Sequence, residues 1–374
     1  MAVTKEQVLA SLEGVKSPEG TALPRTGALS EVVAGDGKVF FSITVDAAQV
    51  EAWEGVRKRA EEVVRALPGV TSVLVALTAE RKAGAAPARA TQAGPAPPPR
   101  AAPRGEATQG VPGVEAIIAV ASGKGGVGKS TTAVNLALGL SALGLKTGIL
   151  DADIYGPSLP KLLAIKERPQ TIGGTRLKPI TRYGLSVMSI GFLIDEETPM
   201  IWRGPMVISA LTQMLREVEW GTLDVMVVDM PPGTGDAQLT MAQQVPLKGA
   251  VIVSTPQDLA LIDARRGIAM FRRVNVPVLG IIENMSYFLC PQCGTRSDIF
   301  SHGGARHEAD RLGVPFLGEV PLHMDIREKS DSGLPVVATV PDGPLAGIYR
   351  DIAAKVRDQL KGPSRPAPKF VIEG

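Results

Sequence analysis

GKGGVGKS occupies residues 123–130 and follows, after Ser122, the apolar run AIIAVA at residues 116–121. The stretch fits the phosphate-loop pattern G-x-x-x-x-G-K-[ST], in which the last glycine is Gly128 and the lysine is Lys129. Glycines leave backbone N–H groups free to turn toward a polyphosphate. The sequence TTAVNLAL that follows predicts a helix, whose positive N-terminal end faces the anion. The order of strand, loop and helix therefore predicts a nucleotide site.

The whole loop is expected to surround the phosphates. Lys129 supplies positive charge to the β- and γ-phosphates, and the Ser130 hydroxyl can hold Mg²⁺. The residues predicted to contact ATP here are Gly123, Lys124, Gly125, Gly126, Val127, Gly128, Lys129, Ser130 and Thr131.

Composition excludes several classes of protein. The 374 residues carry a formal net charge of +2 with scattered Lys and Arg, which is not the footprint of a nucleic-acid-binding protein. The first residues have no apolar signal core, and no run of 18 apolar residues predicts a membrane span. The two cysteines, Cys290 and Cys293, are too few for a disulfide framework, so we expect a reducing cytoplasm.

The chain divides into segments by composition. Residues 1–82 predict a small α+β domain, with Thr4 and Gln7 spaced as a capping box before its first helix. Residues 83–113 are rich in Ala, Pro and Gly and predict a disordered linker, since they offer almost no large apolar side chain to bury. Residues 114–362 predict an ATPase domain, and residues 363–374 form a C-terminal tail.

Apolar strands alternate with helices through residues 114–362. This pattern predicts an α/β fold with a mainly parallel sheet and helices on both faces. Ligands of such sheets bind at the carboxyl ends of the strands, where the phosphate loop, Asp151 and Asp229 all fall. The run VMVVD at residues 225–229 has the form of a Walker B strand, so Asp229 is expected to bind Mg²⁺ through water.

The cysteines lie in the sequence CPQC at residues 290–293. Two thiolates at this spacing can hold a soft metal, but Fe–S clusters and structural zinc usually need four ligands. A symmetric dimer would supply four cysteines to a bridged Fe–S cluster. Alternatively, His302 and His307 complete a zinc site within one chain, although the central gap is short. A thioredoxin-like redox pair is a third interpretation.

Several motifs together resemble a known family. They are GKGGVGKS, DADIYGPS at residues 151–158, MPPGTGD at 230–236, ENMSYFLCPQCG at 283–294 and IFSHGGA at 299–305. This set is similar to the Mrp family of iron–sulfur cluster carrier ATPases, in its bacterial ApbC-like form, within the MinD/ParA group of deviant Walker A P-loop ATPases. The likeness covers residues 114–362, and residues 1–82 resemble the small domain that precedes many Mrp proteins.

The resemblance implies roles for individual residues. Lys124 is the extra lysine that reaches the partner's nucleotide across a dimer interface, and Asp153 orients the attacking water. Asp151 supports the metal and the loop, and Asn284 contacts the adenine. The implied protein is a homodimer that binds and slowly hydrolyses ATP, holds a [4Fe-4S] cluster between its subunits and passes it to apo iron–sulfur proteins together with assembly factors.

Two other functions compete with this one. A MinD/ParA-like positioning ATPase acts by binding membrane or DNA, but residues 362–374 break helices repeatedly and the charge balance shows no basic surface. A zinc-stabilised scaffold with ATP-gated partner binding is the other alternative. The positioning ATPase leaves the CPQC sequence unexplained. We therefore expect neither nucleic-acid nor membrane partners.

Overall fold

The structure is a computed structural model that describes residues 3–30, 32–35, 37–46, 49–70, 72–80, 110–172, 176–193 and 204–361. Most of the predicted linker and all of the predicted tail lie outside the described residues. The chain separates into two compact units: Met1–Gly110 with Leu193–Arg216, and Val111–Phe192 with Glu217–Gly374. The domain bounds drawn from sequence stay a prediction, and the sequence did not indicate that residues 193–216 group with the N-terminal unit.

The N-terminal unit contains both helices and strands, as expected of a small α+β domain. Its elements are helix α1 (Lys5–Leu12), strands β1 (Val33–Gly35) and β2 (Lys38–Asp46), helix α2 (Val50–Arg65) and strand β3 (Ser72–Glu80). The expected capping box is present, since the Gln7 backbone donates to the Thr4 hydroxyl and the Thr4 backbone donates to the Gln7 side chain. β2 pairs antiparallel with β1 and parallel with β3.

Both faces of this small sheet are covered. Phe41 and Ile43 of β2 lie in one buried cluster with Leu12 of α1 and Trp53 of α2. Helix α5 (Gly204–Arg216) also packs on β3, but none of its buried side chains belongs to that cluster, so it covers the opposite face. The Gln213 side chain donates a 2.7 Å bond to a β3 carbonyl that lies 138 residues earlier in the chain, a separation no local pattern reveals.

The larger unit is built on a mainly parallel sheet, as predicted. The described strands run in the order β13-β12-β11-β4-β10-β5-β9-β8, with β14 beside β12. Their bounds are β4 (Val114–Ala121), β5 (Thr147–Asp151), β8 (Ile180–Arg182), β9 (Leu185–Ser189), β10 (Leu223–Asp229), β11 (Gly249–Ser254), β12 (Val278–Leu289), β13 (Arg296–Ser297) and β14 (Phe316–Leu322). β8 and β13 pair antiparallel with their neighbours, and the short hairpin of β6 (Thr171–Ile172) and β7 (Arg176–Leu177) stands apart.

Helices pack on this sheet and complete the predicted α/β fold class, which is confirmed. Their bounds are α3 (Lys129–Ala142), α4 (Leu159–Leu162), α6 (Asp236–Gln244), α7 (Asp258–Arg273), α8 (Gly304–Leu312), α9 (Met324–Asp331), α10 (Val336–Thr339) and α11 (Pro344–Lys361). α3 packs against α11 and the central strands, while α7 and α8 pack on β11, β12 and β14. The central strands are buried along their length because helices cover them.

Parallel register brings the predicted site residues to one edge. Asp229 at the end of β10 lies opposite Asp151 at the end of β5, and on its other side it pairs with Val120 near the end of β4. The phosphate loop starts directly after β4. The alignment of these strand ends is what places two carboxylates beside the loop.

Candidate nucleotide and cysteine sites

The phosphate loop connects β4 to α3 along a path that needs glycine at both ends. Gly128, the N-cap of α3, has φ 78°, and a Cβ there would lie 2.2 Å from Asn284 Nδ2. A Cβ on Gly123 would lie 2.3 Å from the Asp263 backbone on α7. Gly125 and Gly126 face open space, which leaves room for a polyphosphate. Close packing at Gly123 and Gly128 therefore fixes both ends of the predicted phosphate loop.

Lys129, at the start of α3, and Asp229, at the end of β10, form a buried ion pair. The Lys129 ammonium lies 2.5 Å from Asp229 Oδ1, with side-chain exposures of 6% and 0%. It also donates a 3.1 Å bond to the Ser130 hydroxyl. Asp229 Oδ2 is buried and has no hydrogen-bond partner among the described residues. An unpaired carboxylate oxygen beside a serine hydroxyl is the hard-oxygen donor set that Mg²⁺ prefers, so these residues fit the ion.

Asp151 organises the loop that follows β5. Its Oδ2 accepts bonds from the Ser158 and Leu159 backbone amides at 2.9 and 3.1 Å and from the Ser189 hydroxyl at 3.0 Å. Its Oδ1 accepts a 3.2 Å bond from the Asp153 backbone. The side chain is fully buried. One carboxylate thus fixes both ends of residues 153–159, which fits the predicted loop-supporting role, while its role toward the metal stays a prediction.

Burial shapes the charge state of the two aspartates. Loss of solvent, followed by the nearby charge of Asp229, raises the pKa of Asp151 to about 7, against the bonds that it accepts from Leu159 and Ser189. Burial also raises the pKa of Asp153, whose side chain is only partly buried. The charge of Lys129, in the phosphate loop, acts on Asp153 and opposes the rise in its pKa. The role of Asp153 in orienting water stays a prediction.

Asn284 contacts the phosphate loop itself. Its Nδ2 donates a 2.8 Å bond to the Val127 carbonyl, and the side chain is 7% exposed. Its position beside Gly128 explains why that residue cannot carry a side chain. The expected contact of Asn284 with adenine stays a prediction, since the bond in the structure is to the protein backbone.

Lys124 is half-buried in the first part of the loop. Its carbonyl accepts a 2.9 Å bond from the Ser122 hydroxyl, which fixes the backbone. Within the described residues, its ammonium has no bonded partner. That separates it from Lys129, whose charge is neutralised inside the same chain.

The two cysteines lie on a hairpin that extends from the end of β12. The Cys290 backbone donates to the Thr295 carbonyl at 3.0 Å, and the Gly294 backbone donates to the Cys290 carbonyl at 2.8 Å. Cys290 is half-buried and Cys293 is exposed. Hydrogen bonds from the Thr295 side chain and backbone, then from Cys290, lower the pKa of Cys293. A stabilised thiolate at an exposed turn is suited to a soft metal.

The predicted single-chain zinc ligands are not brought together. Among the described residues, no group of three or more His, Cys, Asp or Glu side chains is placed to hold a metal ion. His302 bonds Glu319 at 3.1 Å instead, and Arg306 contacts the same carboxylate. Within the described ranges, one chain therefore offers the cysteine pair alone.

Sequence reasoning missed two residues of this region. Ser189 belongs to none of the sequence motifs, yet its hydroxyl donates to Asp151. Glu283 was quoted within a motif and given no role, yet it is fully buried and accepts three hydrogen bonds. A charged residue inside the apolar strand LGIIEN was the available signal, because carboxylates are almost never fully buried without partners.

Comparison with known proteins identifies the larger unit. The family described as "NUBPL iron-transfer P-loop NTPase" matches residues 113–357. The chain belongs to the NUBPL iron-transfer P-loop NTPase family. A second family, described as "Iron-sulfur cluster assembly protein", matches residues 5–75. The recognition from sequence motifs is confirmed.

Relatives of this family agree with the assignment. The chain is 55% identical over 253 residues to the iron-sulfur cluster transfer protein NUBPL of Dictyostelium discoideum, which covers 67% of this chain and 78% of that protein. It is also 55% identical over 252 residues to the iron-sulfur cluster carrier protein of Escherichia coli strain K12, covering 67% and 68% of the two chains.

A solved structure supports the fold. The nucleotide-binding protein of Archaeoglobus fulgidus in complex with ADP is 39% identical, has a TM-score of 0.55, and covers 63% of this chain and 91% of its own. As for membranes, the described part of the chain contains no helix of the length and apolar character that a membrane crossing requires.

The buried ion pair predicts an asymmetric effect of removing its lysine. Lys129→Met should lower the free energy of unfolding of the larger unit by about 3–5 kcal/mol, because Asp229 is left as an uncompensated buried charge. The double variant Lys129→Met/Asp229→Asn should regain most of that loss. Denaturant unfolding measures both, with Lys124→Ala as the control that removes no buried charge. A double variant as unstable as the single one would contradict the pairing.

The pKa of Asp151 predicts the pH dependence of stability in nucleotide-free protein. Its folded pKa of about 7 lies above its ordinary value of 3.8, so the folded state binds the proton more tightly than the unfolded state. The stabilisation is therefore complete below about pH 4 and is lost as pH rises to about 7. Asp151→Asn should remove this decline. Melting temperatures across that range measure it, and parallel curves for both proteins would contradict the prediction.

Proposed function

We propose that the chain is an ATP-dependent carrier of iron–sulfur clusters that works as a homodimer. It binds and slowly hydrolyses ATP, assembles a [4Fe-4S] cluster between two subunits and passes it to apo-proteins. The observation that carries the proposal is the pair of cysteines on a hairpin at the carboxyl end of β12, the same edge of the sheet as the phosphate loop. The relatives named as cluster carriers and transfer proteins support it.

A second subunit completes the cluster site. One chain provides Cys290 and Cys293 and, within the described residues, no third His, Cys, Asp or Glu beside them. Clusters of this type take four thiolates, and a two-fold axis turns one pair into four. The exposure of Cys293 leaves that thiol accessible to a partner subunit and to a recipient. His302 is already engaged by Glu319, which argues against the histidine-completed zinc site of the scaffold alternative.

The nucleotide side uses the ion pair between Lys129 and Asp229. The Lys129 ammonium, which pairs with Asp229 in this structure, moves its interaction to the β- and γ-phosphates of ATP. Asp229 and Ser130 would hold Mg²⁺, with Asp151 in support, and the bound ion would offset the negative charge of the phosphates. Asp153 accepts a hydrogen bond from the attacking water and orients it toward the γ-phosphate.

Lys124 acts on the nucleotide of the other subunit. Its ammonium is not bonded within the described residues, so it is available for a partner. A second positive charge on the phosphates stabilises the transition state for hydrolysis more than it stabilises bound ATP. ATP hydrolysis therefore requires the dimer, which is also the form that holds the cluster.

The partners follow from the cargo. Apo iron–sulfur proteins receive the cluster, and assembly factors supply it. The N-terminal unit, which matches an iron–sulfur cluster assembly family over residues 5–75, offers a surface for such factors. Thiols that must stay reduced suit a reducing compartment such as the cytoplasm.

The role of Lys124 can be tested by complementation between subunits. Lys124→Ala should bind ATP but hydrolyse it about 100-fold more slowly, because only the transition-state contact is lost. Mixing it with the Lys129→Met/Asp229→Asn chain, which cannot hold ATP but carries Lys124, should restore hydrolysis. Phosphate release measures the rate, and Lys146→Ala, an exposed lysine outside the loop, is the matched control. Wild-type rates in Lys124→Ala would exclude action in trans.

The cluster site predicts a specific iron content. After anaerobic reconstitution with iron and sulfide, iron should approach about four atoms per dimer, and Cys290→Ser or Cys293→Ser should remove it. ATP binding should remain, because the phosphate loop is unchanged. His302→Ala and His307→Ala serve as controls and should retain iron. One zinc per chain that depends on both histidines would favour the scaffold alternative and contradict the proposal.

A further inference from the structure

Two adjacent residues in the middle of β12 contact the two functional regions of the larger unit. Asn284 donates to the Val127 carbonyl of the phosphate loop at 2.8 Å. Its neighbour Glu283 accepts from the backbone amides of Gly303 and Ala305, at 3.1 and 2.7 Å. Successive side chains of a strand point to opposite faces of its sheet, so Glu283 and Asn284 contact different parts of the unit.

The bonds of Glu283 close the base of the cysteine hairpin. Besides the two amides at the start of α8, its Oε1 accepts a 2.6 Å bond from the Ser286 hydroxyl. Ser286 precedes the hairpin and Gly303 follows it, so one carboxylate holds both ends of the segment that carries the cysteines. All of these bonds are buried, and Glu283 itself has no exposed surface.

The start of α8, which Glu283 contacts, is held in place by its neighbours. A Cβ on Gly304, the first residue of α8, would lie 2.7 Å from Leu261 of α7 and 2.9 Å from the Pro256 carbonyl. The start of α8 is therefore fixed by close packing. A shift of β12 relative to α8 has to change the bonds of Glu283, since the helix cannot follow freely.

The other residue of the pair, Asn284, contacts the phosphate loop. Gly128 lies so close to the Asn284 amide that a Cβ added to this glycine would be 2.2 Å from Asn284 Nδ2. Any change in the loop on binding polyphosphate acts on the Val127 carbonyl and hence on Asn284. Directly after it, Met285 has φ 54°, and the ladder between β12 and β14 is irregular from 284 to 288. The strand is thus locally adjustable between the loop and the hairpin.

We propose that Glu283 and Asn284 are positioning residues that transmit the nucleotide state of the phosphate loop to the cysteine hairpin. Asn284 senses the loop through Val127, and Glu283 sets the spacing of the two hairpin ends. Glu283 touches neither nucleotide nor cysteine and acts through the backbone of residues 286–305. The proposal deepens the carrier function proposed above and rests on it for the purpose of the coupling, but the coupling itself exists in protein without a cluster.

Hydrogen exchange of the cluster-free protein tests the link. The measured quantity is the exchange rate of amides in residues 287–302 without nucleotide, divided by the rate with saturating Mg²⁺ and the non-hydrolysable analogue AMP-PNP. In wild type this ratio should be about tenfold, a local stabilisation of ~1.4 kcal/mol. Asn284→Ala and Glu283→Gln should each bring the ratio close to one. A purely structural role would raise both rates equally and leave the ratio unchanged.

Controls separate coupling from general loosening. Glu308→Gln removes a carboxylate of the same helix α8 that bonds Arg265 and Arg311, and it should keep the wild-type ratio. Ser286→Ala removes one of the three Glu283 bonds and should give an intermediate ratio, which keeps the test valid where Glu283→Gln fails to fold. A wild-type ratio of one, an unchanged ratio in Glu283→Gln or Ser286→Ala, or loss of the ratio in Glu308→Gln would overturn the proposal. None of these outcomes depends on cluster binding. Failure of the carrier function would instead appear as absence of iron after anaerobic reconstitution, so the two failures can be told apart.

Discussion

Two buried carboxylates at neighbouring strand ends are the constraint on which the larger unit depends. Parallel register places Asp151 opposite Asp229, and burial makes two such charges side by side unfavourable. The structure resolves this with one buried cation, Lys129, and with the backbone and hydroxyl donors that surround Asp151. Within the described residues the charges of the site are balanced only in part, since Asp229 Oδ2 has no hydrogen-bond partner. In the function proposed above, Mg²⁺ and ATP would relieve this imbalance, which would link their binding to the stability of the site.

The same edge of the sheet carries the cysteines. Strand β12 passes the phosphate loop at Asn284, which bonds the Val127 carbonyl, and continues into the hairpin that presents Cys290 and Cys293. The nucleotide and metal-binding regions are thus parts of one surface, built from ends of parallel strands. In the dimer proposed above, a two-fold axis through such a surface would bring paired cysteines and paired nucleotides together, and would thereby couple assembly of the dimer to ATP use and cluster binding.

Sequence was sufficient for the strongly patterned features. The phosphate loop, the Walker B strand that ends at Asp229 and the capping box at Thr4 were predicted because each depends on local order along the chain. Long-range contacts were not predictable in this way. Helix α5 packs on β3 although the two are distant in sequence, and the Glu283 carboxylate is satisfied by amides twenty residues later. No periodicity or spacing in the sequence encodes these partners, since they arise from packing of elements that only the fold brings together.

The central claim is that two chains share one cluster beside two nucleotides, and native mass spectrometry of the anaerobically reconstituted protein tests it most directly. The account predicts a dimer that carries the mass of a single [4Fe-4S] cluster and, in Mg²⁺ and AMP-PNP, two nucleotides. Removing iron with a chelator should return the protein toward monomer, because ligand bonds join the subunits. Monomers that each carry their own cluster or a zinc ion would contradict it.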